Sequence, residues 1–286
     1  ADITNNNSTT VVLGKTYYVS TTGNDANPGT LSSPWRTIKK AMNTASAGDT
    51  VLVAAGNYGE TLTWSRSGTA NAYITIKAQT STKPVTGAID ITGSYLILDG
   101  FSAQNAAYSG IEISGGHHVT VKNCYTKNTG WSGIRADNRA HDIVITYNYI
   151  DSPVNTKGSQ EALSLEGAGG GIYNFEVSYN TVYSTKKEGI DAKVGCYNGN
   201  ICYNKVYSQS PDIYIDNYGA SSHDIEIFGN YCYGTDDSIR LGYEQTASVM
   251  KNIKIYNNIF KSGSWGISEN GDNSQSHGEH IYIYNN

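Results

Sequence analysis

An asparagine returns through the second half of the chain at Asn148, Asn180, Asn204, Asn230, Asn258 and Asn286, with successive spacings of 32, 24, 26, 28 and 28 residues. Each sits after a short run of alternating apolar residues and before a second short run: ITYNYI, VSYNTV, CYNKV, IFGNYC, IYNNIF and a final IYNN. ILDGF and VKNCY extend the phrase backwards and bring Gly100 and Cys124 into the same column. A period in the twenties, built from short strands without helices between them, describes an all-β parallel solenoid. One coil cannot bury its apolar side chains, whereas stacked coils share a continuous core. The asparagine column has two physical reasons. Asn tolerates the left-handed turn conformation, and its amide can bond the amides above and below.

The second half of each coil aligns as SGIEIS, SGIRAD, EALSLE, EGIDAK, PDIYID, DSIRLG and WGISEN. Ile111, Ile134, Leu163, Ile190, Ile213, Ile239 and Ile267 then form an inward column. Side chains alternate along a strand, so their neighbours point outward. The outward columns are Ser109, Ser132, Glu161, Glu188, Pro211, Asp237 and Trp265; then Glu112, Arg135, Ser164, Asp191, Tyr214, Arg240 and Ser268; then Ser114, Asp137, Glu166, Lys193, Asp216, Gly242 and Asn270. Coils stack about 4.8 Å apart. Glu161, Glu166, Glu188, Asp191, Lys193 and Asp216 therefore converge on a patch three coils tall. Only 16% of the chain is charged, so this patch concentrates its ionisable surface. The insertion DSPVNTKGSQ before Glu161 is placed to wall a cleft beside it.

The remaining composition narrows the class. Of 286 residues, 31 are Gly and 23 are Tyr, which suits a β-rich chain with many turns. A net charge of −5 argues against nucleic acid as a partner, and no apolar run reaches the roughly 18 residues that cross a membrane. Four cysteines make no disulfide framework; Cys196 and Cys202 bridge or remain buried thiols. The lead ADITNNNSTT reads as a polar segment over residues 1–14, compatible with a secreted mature end. One elongated domain, 15–286, follows, working as a monomer. In it Ser33 is the expected N-cap and Pro34 the first residue of an amphipathic helix over about 34–46, covering the first coil. Coils run from about 50 to 286, beginning with Val51–Val53 and Tyr73–Ile76. The chain stops inside the strand IYIYNN without a matching second cap.

Stacked like charges cost energy unless they meet a cation or a partner. Lys193 between Glu166 and Asp216 reads as a salt-bridge ladder without chemistry, or as part of a site. The acids outnumber Lys193 and leave oxygens for Ca²⁺, which takes six to eight of them. Removing the proton α to a uronate carboxylate needs a base, neutralisation of the carboxylate and stabilisation of the intermediate. Neighbouring carboxylates raise the pKa of Lys193, so its action as a base requires a bound cation.

The whole chain resembles the right-handed parallel β-helix proteins of the pectate lyase superfamily. YYVSTTGNDANPGTLSSPWRTIKKAMNTASAGDTVLVAAGNY is similar to their helix-capped opening, and EGIDAK resembles the segment of family nine pectate lyases that carries the catalytic lysine. The resemblance implies Lys193 as base and Ca²⁺ held by Glu161, Glu166, Glu188, Asp191 and Asp216. Alginate and chondroitin lyases of this fold pair a lysine with an arginine, a role for which Arg240 is placed, two coils or about 10 Å away. Arg135, Tyr214, Asp237 and Tyr243 are the candidate substrate contacts. The expected function is Ca²⁺-dependent β-elimination on an acidic, pectate-like polysaccharide. Three alternatives stand beside it. GTDDSIRLG is similar to the paired aspartates of polygalacturonases, with Asp236, Asp237 and Asp216 available, although the histidine and Arg-Ile-Lys segment expected downstream are absent. A uronan epimerase shares the proton abstraction. A non-catalytic glycan binder would use the column Tyr183, Tyr207 and Tyr233, with Trp265. The six histidines (His117, His118, His141, His223, His277 and His280) read as turn residues rather than zinc ligands.

Overall fold

A computed structural model describes residues 14–286 except 152, 154–160, 167–169, 185, 245–247, 262 and 272–275. The segment expected to wall a cleft, 151–160, falls almost wholly outside the described residues. All sheet pairing is parallel. Three sheets of eleven, eight and nine strands run the length of the molecule, each taking one strand from successive coils. The repeat predicts this architecture because every coil supplies the same three short apolar runs.

Two of the sheets position the site. The long sheet begins with Thr16–Val19, Thr50–Val53 and Ile74–Ala78 and ends with His277–Tyr284. The site sheet contains Leu62–Trp64, Ile89–Ile91, Ile111–Ser114, Ile134–Asp137, Leu163–Glu166, Ile190–Lys193, Ile213–Asp216, Ile239–Tyr243 and Ile267–Gly271. Its register pairs Ile111, Ile134, Leu163, Ile190, Ile213, Ile239 and Ile267 in order, as the alternation requires. All but Ile267 are fully buried, and they join the inward residues of the long sheet in one core.

The asparagine column is a continuous ladder. Asn148, Asn180, Asn204 and Asn230 each donate from the side-chain amide to the Oδ1 of the next asparagine, at 2.9–3.0 Å. Each also donates to a backbone carbonyl of the preceding coil, such as Val177 from Asn204. Two details differ from the sequence reading. The left-handed residue is the one before the ladder position: Tyr147, Tyr179 and Tyr203 have φ of 56°, 53° and 56°. Bulky residues rarely adopt this conformation, and here their exposed rings stack on one another at 4.9 and 5.0 Å. Gly100 (φ 82°) belongs to that left-handed column, with its N–H on Lys122 as Asn123 bonds Thr146. Phe101, not Gly100, shares the ladder position with Cys124.

The N-terminal part also departs from expectation. Thr16–Val19 pairs with Thr50–Val53, so the solenoid begins before residue 50. The helix between them is shorter than 34–46, spanning Ile38–Thr44. Ser33 bridges Thr30 and the Trp35 backbone pairs with Val19, which holds this stretch extended. Thr37 is therefore the N-cap, accepting from Lys40 N–H, and Ile38, Ala41 and Met42 turn into the core. All four cysteines are buried free thiols, so Cys196 and Cys202 do not bridge.

Candidate active site

The site grows from the strand Ile190–Lys193. Ile190 and Ala192 face the core, which turns Asp191 and Lys193 outward. Register sets Asp191 between Ser164 and Tyr214, and Lys193 between Glu166 and Asp216. Glu161 and Glu188 enter from the turns before their strands, where Ala162 N–H donates to the Glu188 carbonyl. The Lys193 ammonium lies 2.6 Å from Glu161 Oε1 and 3.2 Å from Asp191 Oδ2. The two carboxylate side chains are only 2% and 1% exposed, so this is an ion pair in a low-dielectric pocket.

Carboxylates dominate the pocket. Burial raises Asp191 well above the usual carboxylate range; Lys193 opposes this, while Glu161, Asp216 and Glu188 add to it. Burial also pushes Asp216 up to about 7, with Glu244 reinforcing and Lys193 resisting. Burial pulls the Lys193 ammonium down, but Asp191 and Glu161 together outweigh it and hold the pKa above the ordinary lysine value. Lys193 in this arrangement is a cation, not a base. Glu161 Oε2, Asp191 Oδ1 and Asp216 Oδ1 are buried without a hydrogen bond, while Asp191 Oδ2 and Glu188 Oε2 have only ion pairs, with Lys193 at 3.2 Å and Lys187 at 3.4 Å. Unpartnered buried oxygens are expensive, and an all-oxygen set suits a hard cation such as Ca²⁺. Among the described residues, no three His, Cys, Asp or Glu are already drawn together at metal-binding geometry. Glu161 and Asp191 are instead drawn onto the ammonium, while Glu188 pairs with Lys187 and accepts from the Ser210 hydroxyl at 3.1 Å.

The other expected residues separate into different groups. Glu166 leaves the Lys193 cluster and bonds Arg135, at 2.9 Å from Nε and 2.8 Å from the terminal nitrogen. Arg135 also holds Glu112 at 3.0 Å and Asp137 at 2.8 Å, and stacks over the Trp131 ring at 4.6 Å. Its donors are engaged by protein acids, leaving little for a substrate carboxylate. Arg240 is likewise clamped by Asp237 at 2.6 Å and Asp236 at 3.1 Å, with Ser268 donating to Asp237. Tyr214 is buried and donates to Glu244 at 2.9 Å. Tyr243 is a correction: it shares the inward parity of Ile239 and Leu241, is 2% exposed and belongs to the core. Sequence reasoning missed Asp90, paired in register with Glu112 and raised by burial and by Asp137. It also missed the role of Asp137, similarly raised by burial. The column Tyr183, Tyr207 and Tyr233 exists on the eight-stranded sheet, but Tyr183 and Tyr207 stack face to face at 4.8 Å, so their inner faces are covered. His117, His141 and His223 join Tyr173 and Tyr197 in a second aromatic stack on the long sheet, with centroids 4.6–5.0 Å apart.

Fold and site together define a parallel β-helix with an acid-rich, lysine-centred face. A family model described as Pel9A-like, right-handed β-helix region matches residues 17–169, and the chain belongs to that family. The matched stretch includes Glu161 and Glu166 and ends before Lys193. Uncharacterized protein YwoF of Bacillus subtilis (strain 168) is 28% identical over 311 aligned positions, covering 90% of this chain. The chain spans 64% of that relative's length. Among solved structures, pectate lyase Pel9A aligns over 93% of this chain and 79% of its own, at TM-score 0.57 and 15% identity. A mannuronic acid specific polysaccharide family 6 lyase from human gut microbiota aligns over 94% and 82%, at 0.55 and 14%. A glycoside hydrolase aligns over 94% and 96%, at 0.61 and 8%. At these identities the likeness is one of fold, shared by lyases and hydrolases alike.

Proposed function

We propose that the chain is a secreted polysaccharide lyase that cleaves a uronate-containing, pectate-like polysaccharide by β-elimination, with Ca²⁺ bound among the acids around Lys193. The observation that carries this reading is the set of buried, unpartnered carboxylate oxygens surrounding one lysine. Glu161, Glu188, Asp191 and Asp216 would hold the cation. Bound there, Ca²⁺ would neutralise the uronate carboxylate and the charge that builds on it during proton removal. Arg240 and Arg135 are already paired, so neutralisation falls to the cation rather than to them. Once Glu161 and Asp191 no longer hold the ammonium, Lys193 loses what keeps its pKa high and can take the proton from the carbon α to the carboxylate. That electron pair forms the new C=C bond, the C–O bond to the leaving sugar breaks, and its oxygen takes up a proton. We also read the helix Ile38–Thr44 as the cover of the first coils.

A second reading is favoured by Asp216. A carboxyl held near 7 is what a general acid in glycoside hydrolysis needs. Incubation with polygalacturonate and with alginate, with CaCl₂ or EDTA, separates the two. The lyase reading expects ultraviolet absorbance from the unsaturated product, lost with EDTA and in Lys193→Ala. New reducing ends without that absorbance would overturn it in favour of hydrolysis.

A further inference from the structure

Three of the six histidines meet on the long sheet, a different sheet from the one that carries Lys193. His117 and His118 open the strand His117–Lys122, while His141 and Asp142 open its neighbour His141–Thr146, with His117 and His141 paired in register. His118 and Asp142, the next residue on each strand, both take the left-handed conformation, at φ 54° and 52°. The Nδ1 atoms of His117 and His118 lie 2.9 Å apart, and His118 Nδ1 is 3.7 Å from Asp142 Oδ2. His141 Nε2 approaches the same oxygen at 3.8 Å. Neighbouring rings brace the group: Tyr95 packs on both His117 and His118, and His141 stacks on His117.

The outer contacts of this group leave acceptors facing one another. His141 Nδ1 is 3.0 Å from the Arg139 carbonyl, which can only accept, so that nitrogen carries the proton. In the neutral ring Nε2 then holds the lone pair, and it is turned toward a carboxylate. Asn174 donates to Asp142 Oδ1 at 2.9 Å, which leaves Oδ2 for the imidazoles. A ring N–H on a carbonyl and an amide on a carboxylate are the contacts that orient metal ligands. Burial, helped by His141 and His118, holds the His117 imidazole below its ordinary value and favours the neutral, ligating ring. Ligands 2.0–2.1 Å from a tetrahedral ion stand about 3.3–3.4 Å from one another, and the separations here, 2.9–3.8 Å, bracket that spacing. The groups do not yet converge at bonding distance, but the rings are partly exposed and rotation about the imidazole Cβ–Cγ bond is soft. We infer that a divalent transition ion of the Zn²⁺ class binds here, held by His117, His118 and Asp142 with His141 in reach of the fourth position, and ties two coils together. Imidazole nitrogens select such an ion over Ca²⁺, a hard cation that takes oxygens. The site shares no residue with the proposed lyase site and stands without it.

The test is calorimetric titration of the untagged protein with ZnCl₂, in excess CaCl₂ to compete for all-oxygen sites. The variants are His118→Asn and Asp142→Asn, because asparagine tolerates the left-handed backbone at both positions and the fold is kept. Wild type should bind one equivalent of Zn²⁺ through this cluster. Each variant should bind it at least tenfold more weakly, having lost one of three ligands. His277→Ala, which removes an exposed histidine paired with Glu279, should leave binding unchanged. Wild-type binding should also fade as pH falls through about 6.5, where imidazole takes its proton, whereas a site made of carboxylates alone would hold its ion to about pH 4. No binding by wild type, equal binding in wild type and both variants, an equal loss in His277→Ala, or binding undiminished at about pH 5 would each overturn the inference.

Discussion

Replacing Lys193 by Met removes the only ammonium among the described residues that Glu161 and Asp191 touch, and keeps much of the side-chain volume. Both carboxylates are almost fully buried. Stripping a buried pair of one partner costs about 3–5 kcal/mol. For chains of this order of size each kcal/mol moves Tm by about 2–4 °C, so the expected loss is roughly 6–20 °C in EDTA. The loss must also depend on pH. Asp191 and Asp216 have folded-state pKa values above their unfolded ones, so each binds its proton more tightly when folded. Such stability is fully present below the unfolded value, about 4, and disappears as pH rises through about 7 for Asp216. Lys193 opposes both shifts, so without it the acids stay protonated further up the scale and the deficit grows with pH. Thermal melts of both proteins at about pH 5 and about pH 8 bracket this window. A Tm deficit equal at the two pH values, or absent at the higher one, would refute the buried-pair reasoning.

The ladder makes its own demand. Asn204→Ala removes two side-chain donations and both bonds accepted from Asn180, leaving buried groups unpartnered. At about 1–3 kcal/mol for each orphaned group, denaturant melts should show at least about 3 kcal/mol of destabilisation. A loss below about 1 kcal/mol, the ordinary surface range, would mean the ladder does not hold the coils. Arg135→Ala strands Glu112, Asp137 and Glu166, and should destabilise by about 3–5 kcal/mol near neutral pH. Arg135→Lys should recover only part of this, because an ammonium cannot reproduce the fork that meets three carboxylates.

Much of this was readable in the chain because side-chain alternation is rigid. Once Ile190 is an inward rung, Asp191 and Lys193 have to point out, and the register bears that out residue for residue. What failed depended on details that a period does not carry. Gly100 was placed one column off because the left-handed conformation was assigned to the asparagines rather than to the residue before each. Tyr243 was expected outside, yet the strand Ile239–Tyr243 runs on long enough to turn it inward. Glu166 lies beside Lys193 in register, but the long Arg135 side chain reaches it from the other coil. Asp90 precedes the asparagine ladder, so nothing in the repeat phrase registers it against Glu112. Spacing also cannot tell whether clustered acids meet an ammonium or a metal ion, since both satisfy the same carboxylates.

The central claim is that the acids around Lys193 hold a divalent cation and thereby free the lysine. Calorimetric titration of the protein with CaCl₂ near neutral pH, in two buffers of different ionisation enthalpy, measures binding and proton release together. The account predicts saturable binding with net release of protons, because Asp216, held at about 7, is partly protonated there and Lys193 loses the charges that hold its proton. It also predicts loss of that binding in Asp191→Asn. Binding that survives Asp191→Asn unchanged, or no binding by wild type, would contradict it.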